Sequence, residues 1–452
     1  MTAETKGERA STELPRGRNG TSLESPVTAG SDTFLFDPWD VSWRDDRTAE
    51  TADQLVENHP VYRLPDGKYV ISRYEDVKEI LGNHDLYTAR PNQEQLIGFP
   101  PRLEGEQDPE MLQRLQDLIA SIPFDLSEFG NANVIVGVDP PLHTRIRAIV
   151  ARGFVPRRIR ALGDSVDAIV KQCLDGIETA STFEVNEKLA VPVPIRVIGD
   201  ILGLPVDKHP DLKRWSDVLS ASVHGPERGT AGAAVNLIGM LMEFAMTFMP
   251  LIEARRQEPG DDLISDMVRA EEGDTLTLIE AVLFLIILMG AANETTTSLI
   301  GNTITYLLQN PDQLKLVIED PSLVAQANEE ALRLCAPVQF VYRENNVEVE
   351  LQGVTIPAGS PLICMIHVAN RDKRQYPDPH RFDVTRKGHH LAFGHGVHVC
   401  LGAHLGRVEA NKAIEAIVAH LPDFELDSQV LRLDRSAFTR AFDSIPLTRK
   451  TS

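Results

Sequence analysis

The stretch that most constrains this chain is His390-Leu-Ala-Phe-Gly-His-Gly-Val-His-Val-Cys400-Leu-Gly-Ala-His-Leu-Gly-Arg407. A lone cysteine stands in a glycine-rich loop that runs straight into a helical pattern from Ala403 to His420. That spacing sets the sulfur near the first helical turn, where unpaired backbone N–H groups and the helix dipole favour a thiolate. Gly394, Gly396 and Gly402 let the backbone turn sharply and come close to a bulky partner. A large, flat partner lying against this loop, with the sulfur as its ligand, fits the pattern.

The remainder of the chain has to enclose such a partner. A length of 452 residues allows two or three ordinary domains or one large core, and 42% hydrophobic with 25% charged residues is a soluble globular balance. A formal charge of −21 argues against a general nucleic-acid binder, which needs a basic footprint. Cys173, Cys335, Cys364 and Cys400 are too scattered for a disulfide framework or a zinc pattern. A reducing, cytoplasmic setting is the expectation. Residues 1–32 are rich in Ser, Thr, Gly, Glu and Pro, and read as a disordered tail rather than a signal peptide. The most apolar segment, Ala281 to Ala292, is 12 residues, against the roughly 20 needed to span a bilayer. No membrane association is expected.

Along the chain, hydrophobic periodicity predicts helices at Tyr74–Leu81, within 109–120, and at 164–179, 188–203, 208–222, 234–257 and 323–335. The longest helix is predicted from Leu276 to Gln309, apolar nearly all round at 281–292 and then abruptly polar at Asn293-Glu294-Thr295-Thr296-Thr297. Threonine there can bond back to the carbonyl one turn earlier and bend the helix. Alternating and apolar runs at Tyr69-Val-Ile, Val347–Leu351, Val354–Ile356 and Pro361–Ile366 predict a small sheet. The class is mainly α with a minor β part. The irregular 86–138 segment, with a helix of its own, reads as a lid or binding loop. Between Pro140 and Gly163, Arg145, Arg147, Arg152, Arg157, Arg158 and Arg160 occur with no acid. Such a run is usually a solvated face, and in so acidic a chain it is also a candidate docking surface for an acidic partner.

Four separated features then align. Phe393-Gly394-x-Gly396-x-His398-x-Cys400-x-Gly402, Glu330-x-x-Arg333, Ala291-Ala-Asn-Glu294-Thr295-Thr296 and Pro140-Pro-Leu-His143-x-x-x-Arg147 together resemble the cytochrome P-450 family of haem-thiolate monooxygenases, most closely its soluble bacterial members. The resemblance covers about residues 34–450 and implies one large haem domain, 33–452, with a long central helix. It implies haem b (iron protoporphyrin IX) with Cys400 as the axial iron ligand, its thiolate pushing electron density to favour O–O cleavage. By the same resemblance, Gly394 and Gly402 pass the loop under the ring and Phe393 shields the sulfur. His143, Arg147, Arg343 and His398 would neutralise the haem propionates by charge-assisted hydrogen bonds. Thr295 would hydrogen-bond the O2 cosubstrate or its water, and Glu294 would help supply protons. Glu330 and Arg333 would form a buried structural ion pair. Ala292 stands where the family often has glycine, with Asn293 beside it.

The implied activity is oxidation of a largely apolar small molecule. Its pocket would be lined from 86–130, 215–248, Ile287, Ala291, Thr295, Val338, Phe340 and Val341. Electrons would come from NAD(P)H through a separate ferredoxin reductase and ferredoxin, since one haem domain uses up the length. A carrier protein presenting the substrate is a further possible partner. Two alternatives stand beside this: a haem-thiolate peroxygenase, isomerase or non-catalytic sensor, and a zinc site among His389, His390, His395, His398, Cys400 and His404.

Overall fold

The computed structural model describes residues 34–44, 47–93, 103–105, 107–122, 132–260, 262–268, 276–428, 431–433 and 436–451. The chain divides into two units, residues 1–36 and 37–452. The first is described only at 34–36, which carry neither helix nor strand. The tail expected over 1–32 lies outside the described residues. All described helices and strands belong to the second unit.

In chain order the helices are α1 (Thr48–Asn58), α2 (Tyr74–Gly82), α3 (Pro109–Ser121), α4 (Leu142–Val150), α5 (Pro156–Cys173), α6 (Pro192–Ile201), α7 (His209–His224), α8 (Ala231–Gln257), α9 (Leu263–Val268), α10 (Leu278–Gln309), α11 (Pro311–Glu319), α12 (Val324–Leu334), α13 (Ile366–Ala369) and α14 (Ala403–Ile417). The strands are β1 (Val61–Arg63), β2 (Tyr69–Ile71), β3 (Tyr87–Thr88), β4 (Thr182–Glu184), β5 (Val341–Asn345), β6 (Val349–Leu351), β7 (Val354–Ile356), β8 (Pro361–Cys364), β9 (Phe424–Leu426), β10 (Arg432–Leu433), β11 (Phe442–Ser444) and β12 (Pro446–Arg449), and a five-stranded sheet has the order β1, β2, β8, β5, β3. In it β2 pairs parallel to β8, and β8 antiparallel to β5.

Helix α10 organises the core. A reciprocal cap starts it: Thr277 Oγ1 accepts from the Glu280 amide at 3.1 Å, and Glu280 Oε2 accepts from the Thr277 amide at 3.0 Å. Such a box satisfies two orphan N–H groups. Helices α6, α7, α8, α12 and α14 pack around it, so its apolar residues are buried on most sides. Both α10 and α8 are long and apolar enough to cross a bilayer, contrary to the short span read from 281–292. In each, at least half of the most apolar window is buried inside the protein, as in a core helix.

Two helix boundaries differ from expectation for identifiable reasons. The helix predicted at 164–179 starts at Pro156, where proline fits the first turn, and ends at Cys173, three residues before Gly176 with φ +82°. The helix predicted at 188–203 begins as a π-helical turn, Asn186–Ala190, and restarts at Pro192. Proline has no N–H to continue the first ladder. Part of the 86–138 segment is ordered structure. Its β3 pairs with β5, and Leu115 of α3 packs with Ala234, Val235 and Ile238 of α8. Residues 94–102, 106 and 123–131 lie outside the described residues.

Candidate active site

The loop before α14 is shaped by its glycines. Gly394 and Gly396 both have φ +73°, the left-handed region open to glycine. A side chain on Gly396 would meet the Leu81 carbonyl oxygen at 2.7 Å, so α2 is pressed directly against the loop. Gly402 differs from expectation. Its backbone is ordinary, and a side chain there would meet no heavy atom within 4 Å. What it leaves is open space rather than a sharp turn. The Cys400 amide donates to the Phe393 carbonyl at 2.8 Å, closing the loop on itself.

Cys400 is exposed by surface, yet surrounded by protein. Both hold at once for a group on the wall of a recess. Burial pushes its thiol up, against the lowering effects of the Gly402 amide, Arg147, Arg407 and the Ala403 amide. The helix tip therefore favours the thiolate, as the sequence predicts, but does not produce it alone. A bound metal cation would supply the missing charge.

Beside the loop the structure gathers the expected basic groups. The rings of His143 (α4) and His398 lie 4.2 Å apart, and Arg147 Nη2 donates to the Val399 carbonyl at 2.7 Å. Arg343, on β5, is buried, donates to the Tyr342 carbonyl at 2.7 Å, and acts electrostatically on His398. Burial, then His398 and Arg147, carries the pKa of His143 down to about 4. Burial likewise lowers that of His398, with Asp139 opposing it. Both ring nitrogens of His143 and Nε2 of His398 are buried without a hydrogen-bond partner. Orphaned polar atoms of this kind mark an unmet partner. Four basic side chains around one place, with a thiol nearby, fit a flat group that carries a metal and acidic substituents. They can hold haem.

Asp139 is a site residue that motif reading missed. Burial works to raise its carboxyl, but His398, Thr88 and the Ala89 amide outweigh it and bring it to about 2. His398 Nε2 lies 3.9 Å from its Oδ1, and Thr88 donates to Oδ2. The available signal was its place directly before the Pro-Pro-Leu-His element.

Glu330 and Arg333 form the expected pair, bidentate at 2.8 Å and 2.8 Å and almost fully buried. Arg333 also donates to the carbonyls of Asn370, Pro379 and Arg381, and Glu330 accepts from the Asp383 amide and Arg386. The pair thus pins the segment that leads to Cys400. A second brace went unread: Arg407 donates to both Glu329 oxygens at 2.6 Å and 2.9 Å and lies 4.3 Å over the Phe393 ring. Among the described residues no three His, Cys, Asp or Glu side chains group as a metal site. The histidines around Cys400 therefore do not form the zinc arrangement.

On α10, Ile287, Ala291 and Thr295 stand four apart, and all three keep surface where Val282–Ile286 are buried. They form one open stripe on a core helix. Thr295 Oγ1 donates to the Ala291 carbonyl at 2.7 Å, and Ser298 Oγ to the Glu294 carbonyl at 2.8 Å. These are the expected back-bonds. Glu294 is partly exposed and borders a cleft of about 330 Å³. Phe340 departs from its expected place on the pocket wall. It is 0% exposed and packed edge-on against Trp39, Tyr342 and Phe438, whereas Val338 and Val341 remain partly exposed. A lone acid also emerges beneath this helix. Burial pushes Glu409 of α14 up to about 8, against a hydrogen bond with Thr296. Its signal was an acid in register with apolar Leu405 and Ala413 on the inner helix face.

Comparison with known proteins follows this geometry. Residues 237–439 match the family model described as Cytochrome P-450. The chain is 33% identical over 422 residues to Cytochrome P-450 107B1 of Saccharopolyspora erythraea, covering 92% of this chain and 97% of that one. It is 32% identical to the Vitamin D(3) 25-hydroxylase of Pseudonocardia autotrophica, covering 90% and 94% of the two chains. Among solved structures it resembles a cytochrome P-450 from Chondromyces apiculatus, with TM-score 0.77 and 33% identity over 92% and 98% of the chains. It also resembles P-450 BioI in complex with an acyl carrier protein ligated to hexadec-9Z-enoic acid, with TM-score 0.77, 28% identity, and 90% and 100% coverage.

Proposed function

The chain belongs to the cytochrome P-450 family and is a haem-thiolate monooxygenase acting on a small molecule, and we propose that within it Cys400 holds the iron while Thr295 and Glu294 serve the oxygen side. Haem, when bound, supplies the metal at which O2 is split and one oxygen atom passes to the substrate. The other oxygen leaves as water, taking two electrons and two protons per turnover.

The chain's own residues divide this work. Cys400 ligates through sulfur, in a loop braced by Arg407–Glu329 on one side and Glu330–Arg333 on the other. His143, Arg147, Arg343 and His398 hold the acidic edge of the cofactor; Phe393, capped by Arg407, covers the sulfur, and Gly394 gives the loop its turn. Gly402 keeps space clear. Thr295 donates its hydroxyl to Ala291 at rest and turns to the oxygen substrate in turnover. Glu294 hands protons toward it. Ile287, Ala291 and Val338 face an apolar substrate. The observation that carries this reading is His143, which lies against His398 beside the cysteine loop with both ring nitrogens buried and without a hydrogen-bond partner.

In the same proposal the protein is cytoplasmic and takes electrons from NAD(P)H through a separate ferredoxin reductase and ferredoxin. Arg152, Arg157 and Arg160 are exposed and suit an acidic partner, while Arg158 is tied to Asp266. The relative bound to an acyl carrier protein supports substrate delivery on a carrier. Relatives named as hydroxylases favour monooxygenation over a peroxygenase, isomerase or sensor role.

The test is Thr295→Ala. It should lower product formed per electron about tenfold and raise peroxide correspondingly, with substrate affinity unchanged. Unchanged coupling would remove Thr295 from the oxygen side.

A further inference from the structure

Beside the cysteine loop stands one charged group that belongs neither to the metal ligand nor to the acidic edge of the cofactor. Arg407, in the second turn of α14, has both the edges and a face of its guanidinium engaged. Its Nε and Nη2 donate to Glu329 Oε1 and Oε2 at 2.6 Å and 2.9 Å, and Nη1 donates to the Ala403 carbonyl at 3.3 Å. Its plane lies 4.3 Å over the Phe393 ring. A planar fork held this way is preorganised and keeps its charge in one place. Arg407 is thus a fixed cation on the ring assigned to cover the sulfur.

The counter-ion comes from a different element. Glu329, on α12, faces Arg407, while its chain neighbour Glu330 turns to Arg333. His390 Nε2 lies 3.2 Å from Glu329 Oε2, and its Nδ1 accepts from the Ala392 amide. Burial works to raise the Glu329 carboxyl, but Arg407 and His390 bring it to about 2, so it is ionised at neutral pH. Arg407 and Arg147 both favour the ionised form of Cys400. Arg147 donates to the Val399 carbonyl and is assigned to the cofactor edge. Of the two, Arg407 is the cation that a carboxylate offsets among the described residues.

Reduction of a metal centre adds one negative charge, so a nearby cation favours the reduced form and a nearby anion the oxidised one. We propose that the Arg407–Glu329 pair sets the reduction potential of the thiolate-bound haem, with Arg407 raising it and Glu329 tempering the rise. The proposal rests on the haem-thiolate reading and concerns the first electron of turnover. In that step the ferric iron gains one electron and a ferredoxin-class donor loses one, with no bond broken and no proton moved. Arg407 acts through Phe393 and Cys400 and is a positioning residue.

Three variants of the full-length, haem-loaded protein test it, by spectroelectrochemical titration of the ferric–ferrous couple. Arg407→Leu should lower the ferrous-to-ferric ratio at a fixed potential about tenfold, a downward shift of about 59 mV. Glu329→Gln should raise the same ratio about threefold. Arg407→Lys keeps the charge without the fork and should stay within about twofold of the wild type. A purely structural brace does not give this pattern. Arg407→Leu and Glu329→Gln disrupt the same two hydrogen bonds and would then move the potential alike. Shifts of one sign, or shifts under about twofold in both, overturn the set-point. Glu329→Gln is near-isosteric and decides the sign even where Arg407→Leu fails to hold haem: a fall in its ratio overturns the set-point. A wild type without the Soret band of a thiolate-ligated haem under carbon monoxide sinks the haem-thiolate reading itself, whereas a normal band with shifts of one sign sinks only the set-point.

Discussion

On the side of Cys400 the carboxylates Glu329 and Glu330 are answered by other fixed groups, whereas in the middle of α10 the hydroxyls of Thr295 and Ser298 turn back on their own helix. Glu330 takes four hydrogen bonds from Arg333, Arg386 and the Asp383 amide, and Glu329 takes bonds from Arg407 and His390. Thr295 and Ser298, by contrast, merely donate to carbonyls one turn back, and Asn293 Oδ1 accepts nothing. The first arrangement holds a ligand loop rigid before anything binds. The second leaves groups free to change partners, as proton handling requires. Stability should therefore live on the sulfur side and coupling on the α10 side.

The largest expected effect breaks the rigid side. Glu330→Ala strands Arg333 in a site where both side chains are almost fully buried, and should cost about 3–5 kcal/mol in denaturant unfolding. A loss under about 1 kcal/mol would mean that the loop is not held by this pair.

The next effect sharpens the contrast through pH. Glu409 has a folded pKa of about 8 against an ordinary value of 4.5, so the folded state holds its proton more tightly. Its stabilising contribution is complete below pH 4.5 and is lost as pH rises toward 8. Glu409→Gln should flatten this decline in a series of melting curves. Glu329 has the opposite sign. Burial works to raise it, but Arg407 and His390 bring it to about 2, so its contribution is present above pH 4.5 and lost as pH falls toward 2. An unchanged alkaline slope in Glu409→Gln would show that this carboxyl is not the one held neutral.

The smallest effect concerns neither region's interior. Reversing Arg152 and Arg157 to Glu should slow ferredoxin-driven reduction severalfold at low salt, with the difference fading as salt rises. Substrate binding should not change. Equal rates and equal salt dependence would make the patch a solvated surface.

Much of this contrast was legible in the sequence, and unevenly so. The sulfur loop, the Glu330–Arg333 spacing and the polar break at 293–297 announce themselves because each depends on neighbours close in the chain. Asp139 did not, because its role comes from Thr88 and His398, distant in sequence. Phe340 was misplaced because a short apolar run does not say which of its side chains is sealed in the core, and here Trp39 and Phe438 close over it. The start of α5 was missed because the arginine-rich run was read for its charge, as a solvated face or docking surface, while the first-turn signal at Pro156 went unused. The thiol of Cys400 was read from its helix tip alone, while the burial that opposes the tip is a property of the folded recess.

The central claim is that Cys400 ligates haem iron through its thiolate. Reduction of the purified haem protein under carbon monoxide reads this directly. The account predicts the red-shifted Soret band of a thiolate-ligated haem in the wild type and its loss in Cys400→Ser. A colourless protein, or a wild-type band at the position of histidine-ligated haem, would contradict it.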